Sequence, residues 1–179
     1  MSGQTFNLHD AGNFARLFDR THLPIFRYIY GIHGGPRDEV EDLTAETFTR
    51  AWKARHRFTG DEDAALRWLF QIARNLVIDS SRRSKVRGTH QRLEDIGTNI
   101  QLASRDLSPE ELLSIREQYQ TLDLLLNNLS TEQREMLILR YILGWQVKQI
   151  ASYLDMAENT VSVYIRRILI RLRKDWPEV

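Results

Sequence analysis

The chain has 179 residues, 25 Lys and Arg against 24 Asp and Glu, and 42% hydrophobic residues. That balance excludes wholesale disorder, and the length allows one medium domain or two small ones. Cysteine is absent, which excludes a disulfide framework, thiol catalysis and a Cys-ligated metal site.

Nearly every segment reads as helix, since only 9 Gly and 4 Pro occur and no alternating strand pattern appears. The first helix spans Phe14 to Ile32, with Phe14, Leu17 and Phe18 at helical spacing and a break expected near Pro24. Gly34-Gly35-Pro36 is a turn. An acidic helix follows from about Asp38 to Arg55, with Val40, Leu43, Phe48, Ala51 and Trp52 as its expected buried positions. Phe58-Thr59-Gly60-Asp61 makes a short loop, and a third helix runs from about Ala64 to Arg83. From Gly88 to Ser108 the periodicity fades, so this stretch reads as a flexible linker. Ser108-Pro109-Glu110-Glu111 then restarts a helix, with Ser as N-cap, Pro at the first position and acids in the first turn. That helix reaches about Asn127, and Ser130-Thr131-Glu132-Gln133 opens another in capping-box style. The remainder divides into helices at roughly 131–143, 146–153 and 158–175. The expected fold is therefore all-α, with two small helical domains over 10–87 and 109–176 joined by the linker 88–108.

The uncharged runs fall short of the roughly 18 apolar residues that a membrane span needs. The N-terminus has neither the basic cap nor the apolar core of a signal peptide, so a soluble cytoplasmic protein without membrane insertion is expected. A formal net charge of +1 hides strong segregation. Residues 38–46 carry five acids and no base, 82–87 four bases and no acid, and 159–174 five bases and no acid. Such blocks imply separate surfaces with different partners.

Gln146 to Lys174 has the form of a helix-turn-helix. A short helix (Val147, Ile150, Ala151, Leu154) meets a turn at Asp155-Met156-Ala157, and a second helix begins at Glu158. On a helical wheel Val161, Ile165, Ile168, Leu169, Leu172 and Trp176 share one arc. The opposite side carries Asn159, Val163, Arg166, Arg167, Arg173 and Lys174. A helix with one packed and one cationic face can enter the major groove of duplex DNA while its partner crosses the backbone. A basic helix alone reads as a solvated face. The short first helix, the three-residue turn and the acid-free basic stretch together favour the DNA reading. Val163 and Ile170 stand on the polar side, where a thymine methyl would account for Val163 and a protein partner for Ile170.

In the N-terminal half, Leu66, Leu69, Phe70, Ala73, Leu76 and Val77 form the apolar arc of the third helix. Trp68, Asn75 and Arg82 line up on the opposite side at seven-residue spacing. With Phe58 in the preceding loop, that stripe suits single-stranded DNA: aromatics stack on unpaired bases, the amide reads a base edge and Arg neutralises phosphate. The plainer readings are a Trp packed on a neighbouring helix and a surface amide. Asp38 and Glu39 fit the dipole of their helix start. Glu46 lies too far in for that, and an acidic patch must point away from DNA, so it suits a basic protein partner.

The ordered motifs resemble bacterial RNA polymerase sigma factors of the extracytoplasmic-function (ECF) type, in the sigma-70 family, which keep only sigma domains 2 and 4. The resemblance is carried by Asp42-Leu43-Thr44-Ala45-Glu46-Thr47-Phe48 with Arg50-Ala51-Trp52, by Phe58-Thr59-Gly60-Asp61, and by Arg67 to Asp79 with its Arg82-Arg83 tail. In the last domain it is carried by Leu129-Ser130, Arg134-Glu135, Leu139-Arg140-Tyr141, Gly144, Ile150-Ala151 and Asn159-Thr160-Val161. The resemblance implies that Asp42, Glu46 and Arg50 dock on the clamp helices of the largest polymerase subunit. It implies that Phe58, Thr59 and Gly60 capture a base flipped from the −10 element, with Trp68, Phe70 and Asn75 around that pocket and Arg82 and Arg83 on the backbone. It further implies that Asn159, Thr160, Ser162, Val163, Arg166 and Arg167 face the −35 element. The flap of the second largest subunit and an anti-sigma factor are the other implied partners, and the linker would thread into the polymerase. The chain departs from the usual pattern after Thr160-Val161: Ser162-Val163 stands where a base and Ser are common, and Tyr164 where a further base is.

No catalytic residue, metal ligand or cofactor is expected. His9, His22, His33, His56 and His90 are scattered, with no ligand pair at helical spacing, which argues against a metal-dependent nuclease. A free-standing helix-turn-helix regulator acting without polymerase is the other DNA-binding reading. It leaves the acidic helix and the Trp68, Asn75 and Arg82 alignment unexplained.

Overall fold

The structure, a computed structural model, describes residues 7–87 and 108–177, all of whose regular elements are helical. The chain forms two compact units, residues 1–90 and 91–179. The linker expected over 88–108 lies outside the described residues except for Ser108.

The N-terminal unit packs three helices against one another: α1 (Ala11–His33), α2 (Arg37–Ala54) and α3 (Glu62–Arg87). Asp10 caps α1 by accepting from the Gly12 amide, and Gly34 ends it in the left-handed conformation, φ 58°, with its amide donating to the Tyr30 carbonyl. The break expected at Pro24 does not occur, and α1 runs through it. Proline costs the helix an amide donor. Here Phe14, Leu17 and Thr21 are buried before it and Ile25, Tyr28, Ile29 and Ile32 after it, so packing on both sides holds the axis.

Along α2 the buried residues are Val40, Thr44, Thr47, Phe48 and Ala51, which form one stripe at helical spacing. The two buried threonines donate to the carbonyls four residues back, Thr44 to Val40 and Thr47 to Leu43, each at 2.7 Å, so neither hydroxyl is left unmade in the core. Trp52, expected inside, is 39% exposed. Its ring meets Phe14 edge-on at 5.0 Å and carries the Arg55 guanidinium 3.5 Å from its centroid, so it covers the end of the α1–α2 seam. On α3, Ala65, Leu69, Phe70, Ala73, Leu76 and Val77 are buried.

Ahead of α1, Leu8 is completely withdrawn from solvent, a burial worth about 1.5–3 kcal/mol.

The C-terminal unit contains α4 (Pro109–Asn127), α5 (Thr131–Leu137), α6 (Val147–Leu154) and α7 (Glu158–Asp175). Ser130 and Gln133 form the expected capping box, each side chain bonding the other's amide at 3.2 Å. Arg134, nearly buried, donates to the Leu126 carbonyl at 2.7 Å and to Asn127 Oδ1 at 3.3 Å, tying the end of α4 to α5. The helix expected over 131–143 changes character on the way. Beyond Leu137 it widens into a π turn at Ile138–Ile142, with the Leu143 amide reaching back five residues to the Ile138 carbonyl. Gly144 then takes φ 70°, and Arg140 donates to the Trp145 carbonyl across the bend.

The helix-turn-helix is α6, a turn at Asp155-Met156-Ala157, and α7. Asp155 adopts the left-handed conformation, φ 54° and ψ 50°, which Asp tolerates better than most residues. Val161, Ile165 and Ile168 are the buried face of α7. Leu169 and Trp176, expected in the same arc, are 40% and 37% exposed.

Candidate polymerase and nucleic-acid interfaces

On α2 the stripe opposite the core carries Asp42, Glu46 and Arg50 at four-residue intervals. Glu46 and Arg50 pair through Oε1 and Nε at 2.7 Å, and Arg37 pairs with Glu41 likewise. Exposed pairs of this kind contribute about 0–1 kcal/mol, so they are easily exchanged for contacts with a partner. Asp42 is exposed and has no ionic partner among the described residues. The outward face of α2 is therefore acidic at its start and mixed at Arg50.

The loop between α2 and α3 begins with a single 3-10 turn, Arg55–Arg57, closed by the Phe58 amide on the Arg55 carbonyl. Phe58 is half-buried and its ring lies against that of Trp68 at 5.2 Å, tilted by 37°. Thr59 is exposed. A Cβ on Gly60 would stand 2.8 Å from Ala64 Cβ and 3.1 Å from Phe58 Cζ, so only glycine lets the loop close this tightly. Asp61 accepts from the Ala64 amide at 2.7 Å and starts α3. The loop is thus fixed at both ends, with one aromatic platform between.

Trp68 is half-buried, while Asn75 and Arg82 are exposed and have no hydrogen-bonding or ionic partner among the described residues. Arg83 is exposed and donates to the Asp79 carbonyl. Phe70 differs from the rest of the expected −10 group. It has no exposure and meets Tyr28 edge-on at 5.0 Å, inside the core. A direct DNA contact from Phe70 is therefore corrected: it shapes α3 from below, because its position falls on the arc that faces α1.

On α7, Asn159, Thr160, Ser162, Val163, Arg166 and Arg167 are all exposed. Arg166 and Arg167 have no acidic partner among the described residues, whereas Arg171 lies 3.7 Å from Asp175. Val163 is 46% exposed, an uncovered β-branched residue amid polar neighbours.

Two arrangements were not anticipated. Tyr141, Val147, Leu169 and Ile170, with Arg140 and Arg166, line a groove of about 410 Å³ between the π turn, α6 and α7. The sequence signalled it only through Ile170 on a polar face. The second is an edge-on contact between the rings of His9 and His56 at 5.0 Å. His56 is held below its ordinary pKa of 6.5, first by the Arg55 charge, then by burial, then by His9. Among the described residues no group of three or more His, Cys, Asp or Glu is placed to hold a metal ion, and no helix is long and apolar enough to cross a membrane.

Residues 17–87 match the family model for Sigma-70 region 2, and residues 119–172 match that for Sigma-70, region 4. The chain is 30% identical over 157 residues to the ECF RNA polymerase sigma factor SigL of Mycobacterium tuberculosis, covering 88% of this chain and 85% of that one. It is 31% identical over 173 residues to the ECF RNA polymerase sigma factor BldN of Streptomyces coelicolor, covering 94% of this chain and 62% of that one. Among solved structures, the sigma factor RpoE of Bartonella quintana, crystallised with the anti-sigma factor NepR, shares the fold with a TM-score of 0.64 at 20% identity over 92% of this chain and 97% of that one. The two family models fall on the two helical units in the order that a minimal sigma factor requires, and the chain belongs to the ECF RNA polymerase sigma factors of the sigma-70 family, which are not enzymes.

Proposed function

We propose that this sigma factor directs promoter-specific initiation by reading −35 duplex DNA with α7 and capturing unpaired −10 bases with the Phe58–Gly60 loop. The observation that carries the reading is the Phe58–Trp68 platform, set beside a line of exposed Asn75 and Arg82 on α3. Flipping a base out of the duplex costs a few kcal/mol, and stacking on an aromatic returns roughly 1–3 kcal/mol per base. An unpaired amide can then read a base edge while Arg82 and Arg83 meet phosphates.

The acidic stripe of α2 suits a basic helical partner, and we assign Asp42, Glu46 and Arg50 to the clamp helices of the largest polymerase subunit. The groove lined by Tyr141, Leu169 and Ile170 suits the apolar face of a partner helix, and we assign it to the flap of the second largest subunit. On α7, Arg166 and Arg167 contact bases or phosphates, and Val163 meets a thymine methyl. Asn159, Thr160 and Ser162 stand at the helix start, the end that enters the groove first. An anti-sigma factor is the regulatory partner that fits a chain of this family, as RpoE is found with NepR.

The test separates docking from opening. The protein should co-elute with bacterial core RNA polymerase, and changing Asp42 and Glu46 both to Lys should abolish co-elution. Phe58→Ala and Asn75→Ala should retain co-elution while lowering permanganate reactivity of −10 thymines, for Phe58→Ala roughly 5- to 150-fold, the range set by a lost base stack. Tight duplex binding by a wild type that fails to co-elute would reject the reading.

A further inference from the structure

The 3-10 turn that launches the base-capture loop has little rigidity of its own. It is three residues long, and the one backbone bond that closes it, from the Phe58 amide to the Arg55 carbonyl, is 3.3 Å. The Arg55 amide bonds the Trp52 carbonyl and joins the turn to α2, and side chains add to that hold on both flanks. On one flank Arg55 lies over Trp52 and donates to the Trp52 carbonyl at 2.7 Å. On the other flank His56, two residues before Phe58, receives the His9 ring edge-on at 5.0 Å.

His9 belongs to a short segment that is itself pinned. Leu8 is completely buried, the Asn7 carbonyl accepts from Asn13 Nδ2 at 2.8 Å, the His9 amide donates to Asn7 Oδ1 at 2.9 Å, and Asp10 caps α1. The segment ahead of the first helix is therefore pinned to it, and the His9 ring reaches the turn beside Phe58. The segment also precedes the stretch that matches sigma region 2.

We propose that Asn7–Asp10 is a strap that positions the base-capture loop, with His9 as a positioning residue acting through His56. The proposal rests on the assignment of Phe58–Gly60 to base capture. Leu8 anchors the strap, His9 holds the turn, and the turn sets the angle at which Phe58 presents its ring beside Trp68. The strap leaves docking untouched, because Asp42, Glu46 and Arg50 lie on α2, about one and a half to three and a half turns before the 3-10 turn begins.

The test uses holoenzyme reconstituted with bacterial core polymerase, and a promoter duplex selected from randomised DNA by the wild-type holoenzyme. Permanganate reactivity of −10 thymines reports opening, and co-elution reports docking, for His9→Ala, His9→Phe and Phe58→Ala. The expected result for His9→Ala is a loss of opening of about three- to ten-fold with co-elution unchanged, the scale of one edge-to-face ring pair. His9→Phe should return opening to within about two-fold of wild type, since a ring is restored. Opening unchanged in His9→Ala but lost in Phe58→Ala overturns the strap and leaves base capture standing. Loss of co-elution together with opening, or no rescue by Phe, reduces His9 to general stability and overturns the positioning role. Opening unchanged in both His9→Ala and Phe58→Ala overturns base capture by this loop, and the strap with it.

Discussion

In the N-terminal unit the loop proposed to capture a −10 base is held by side chains, while Asn75 and Arg82 on α3 stand exposed. Phe58 lies on Trp68, Gly60 closes against Ala64, and the turn before them is gripped by Arg55 on Trp52 and by His9 on His56. In the C-terminal unit the reading face of α7 is the opposite: Val163, Arg166 and Arg167 are exposed, and neither arginine has an acidic partner among the described residues. The difference follows from what each would bind. A duplex brings its own rigid geometry, so a helix with a free cationic face has only to be presented to it. An unpaired strand is flexible, and the protein must supply the order that the ligand lacks, which requires a pre-shaped loop.

That contrast can be broken most directly at Arg167. Arg167→Ala removes one cation from a face that nothing else holds. It should weaken binding to a −35-containing duplex by about 1–3 kcal/mol if Arg167 reads a base. If it contacts phosphate only, the loss should be uniform across sequences, with the salt slope reduced by about 1. Binding of a pre-melted −10 strand should not change. An effect on the pre-melted strand, or none on the duplex, would contradict the division of labour.

Gly60→Ala makes the complementary break. Its Cβ would meet Ala64 at 2.8 Å and Phe58 at 3.1 Å, so the loop must open. Overpacking of this kind costs about 1–3 kcal/mol. The expected outcome is reduced −10 strand capture with duplex binding by α7 intact, checked by permanganate footprinting beside a −35 duplex titration. Thr59→Ala, at an exposed site, should leave loop geometry unchanged.

Ser130→Ala sharpens the comparison at the level of stability. Loss of the capping box should cost about 0.5–2 kcal/mol, read as faster hydrogen exchange at α5 amides while those of α1–α3 keep their protection. Spread of the effect to α1–α3 would show that the units are energetically coupled. The smallest effect is expected from pH. The Arg55 charge, burial and then His9 disfavour the charged form of His56, so its folded pKa lies below 6.5 and the folded protein prefers the neutral ring. The stabilisation is complete above pH 6.5 and is lost as pH falls from 6.5 through the lowered folded value. Exchange at the Phe58 and Thr59 amides should rise between pH 7 and pH 5.5 beyond the intrinsic rate, and no rise would remove the histidine contact from the loop's energetics.

The helices were legible because periodicity and capping chemistry agree locally. Asp155-Met156-Ala157 is the turn, Ser130 and Gln133 form their box, and α7 buries Val161, Ile165 and Ile168 on the face that the wheel selects. What was not legible depended on contacts remote in sequence. Pro24 gave a valid local signal for a break, and packing beyond either side of it overrode that signal. Trp52 sat on the apolar stripe, but its exposure was decided by its place beside Phe14 at the start of α1 and by Arg55. Phe70 combined a core position with a family motif, and the wheel had already placed it inward. The exposed stripe of Asn75 and Arg82 was legible for the converse reason: a polar residue opposite an apolar arc needs no partner to fix where it faces. The His9 contact joins residues 47 positions apart and leaves no periodic trace.

The π turn at Ile138–Ile142 has a further consequence for how length variation would act on the C-terminal unit. An α-helix advances about 100° per residue, so a ring that accommodates one extra residue delays the rotation of everything after it by more than a quarter of a circle. Tyr141 and Ile142, at 57% and 56% exposure, face outward at that offset. Deleting a single residue there would act as a twist: it would swing Gly144 and the start of α6 around the axis of α5 and re-aim the reading helix that α6 supports. In this segment sequence length sets an angle, and a conservative substitution is a far milder change than the loss of one residue.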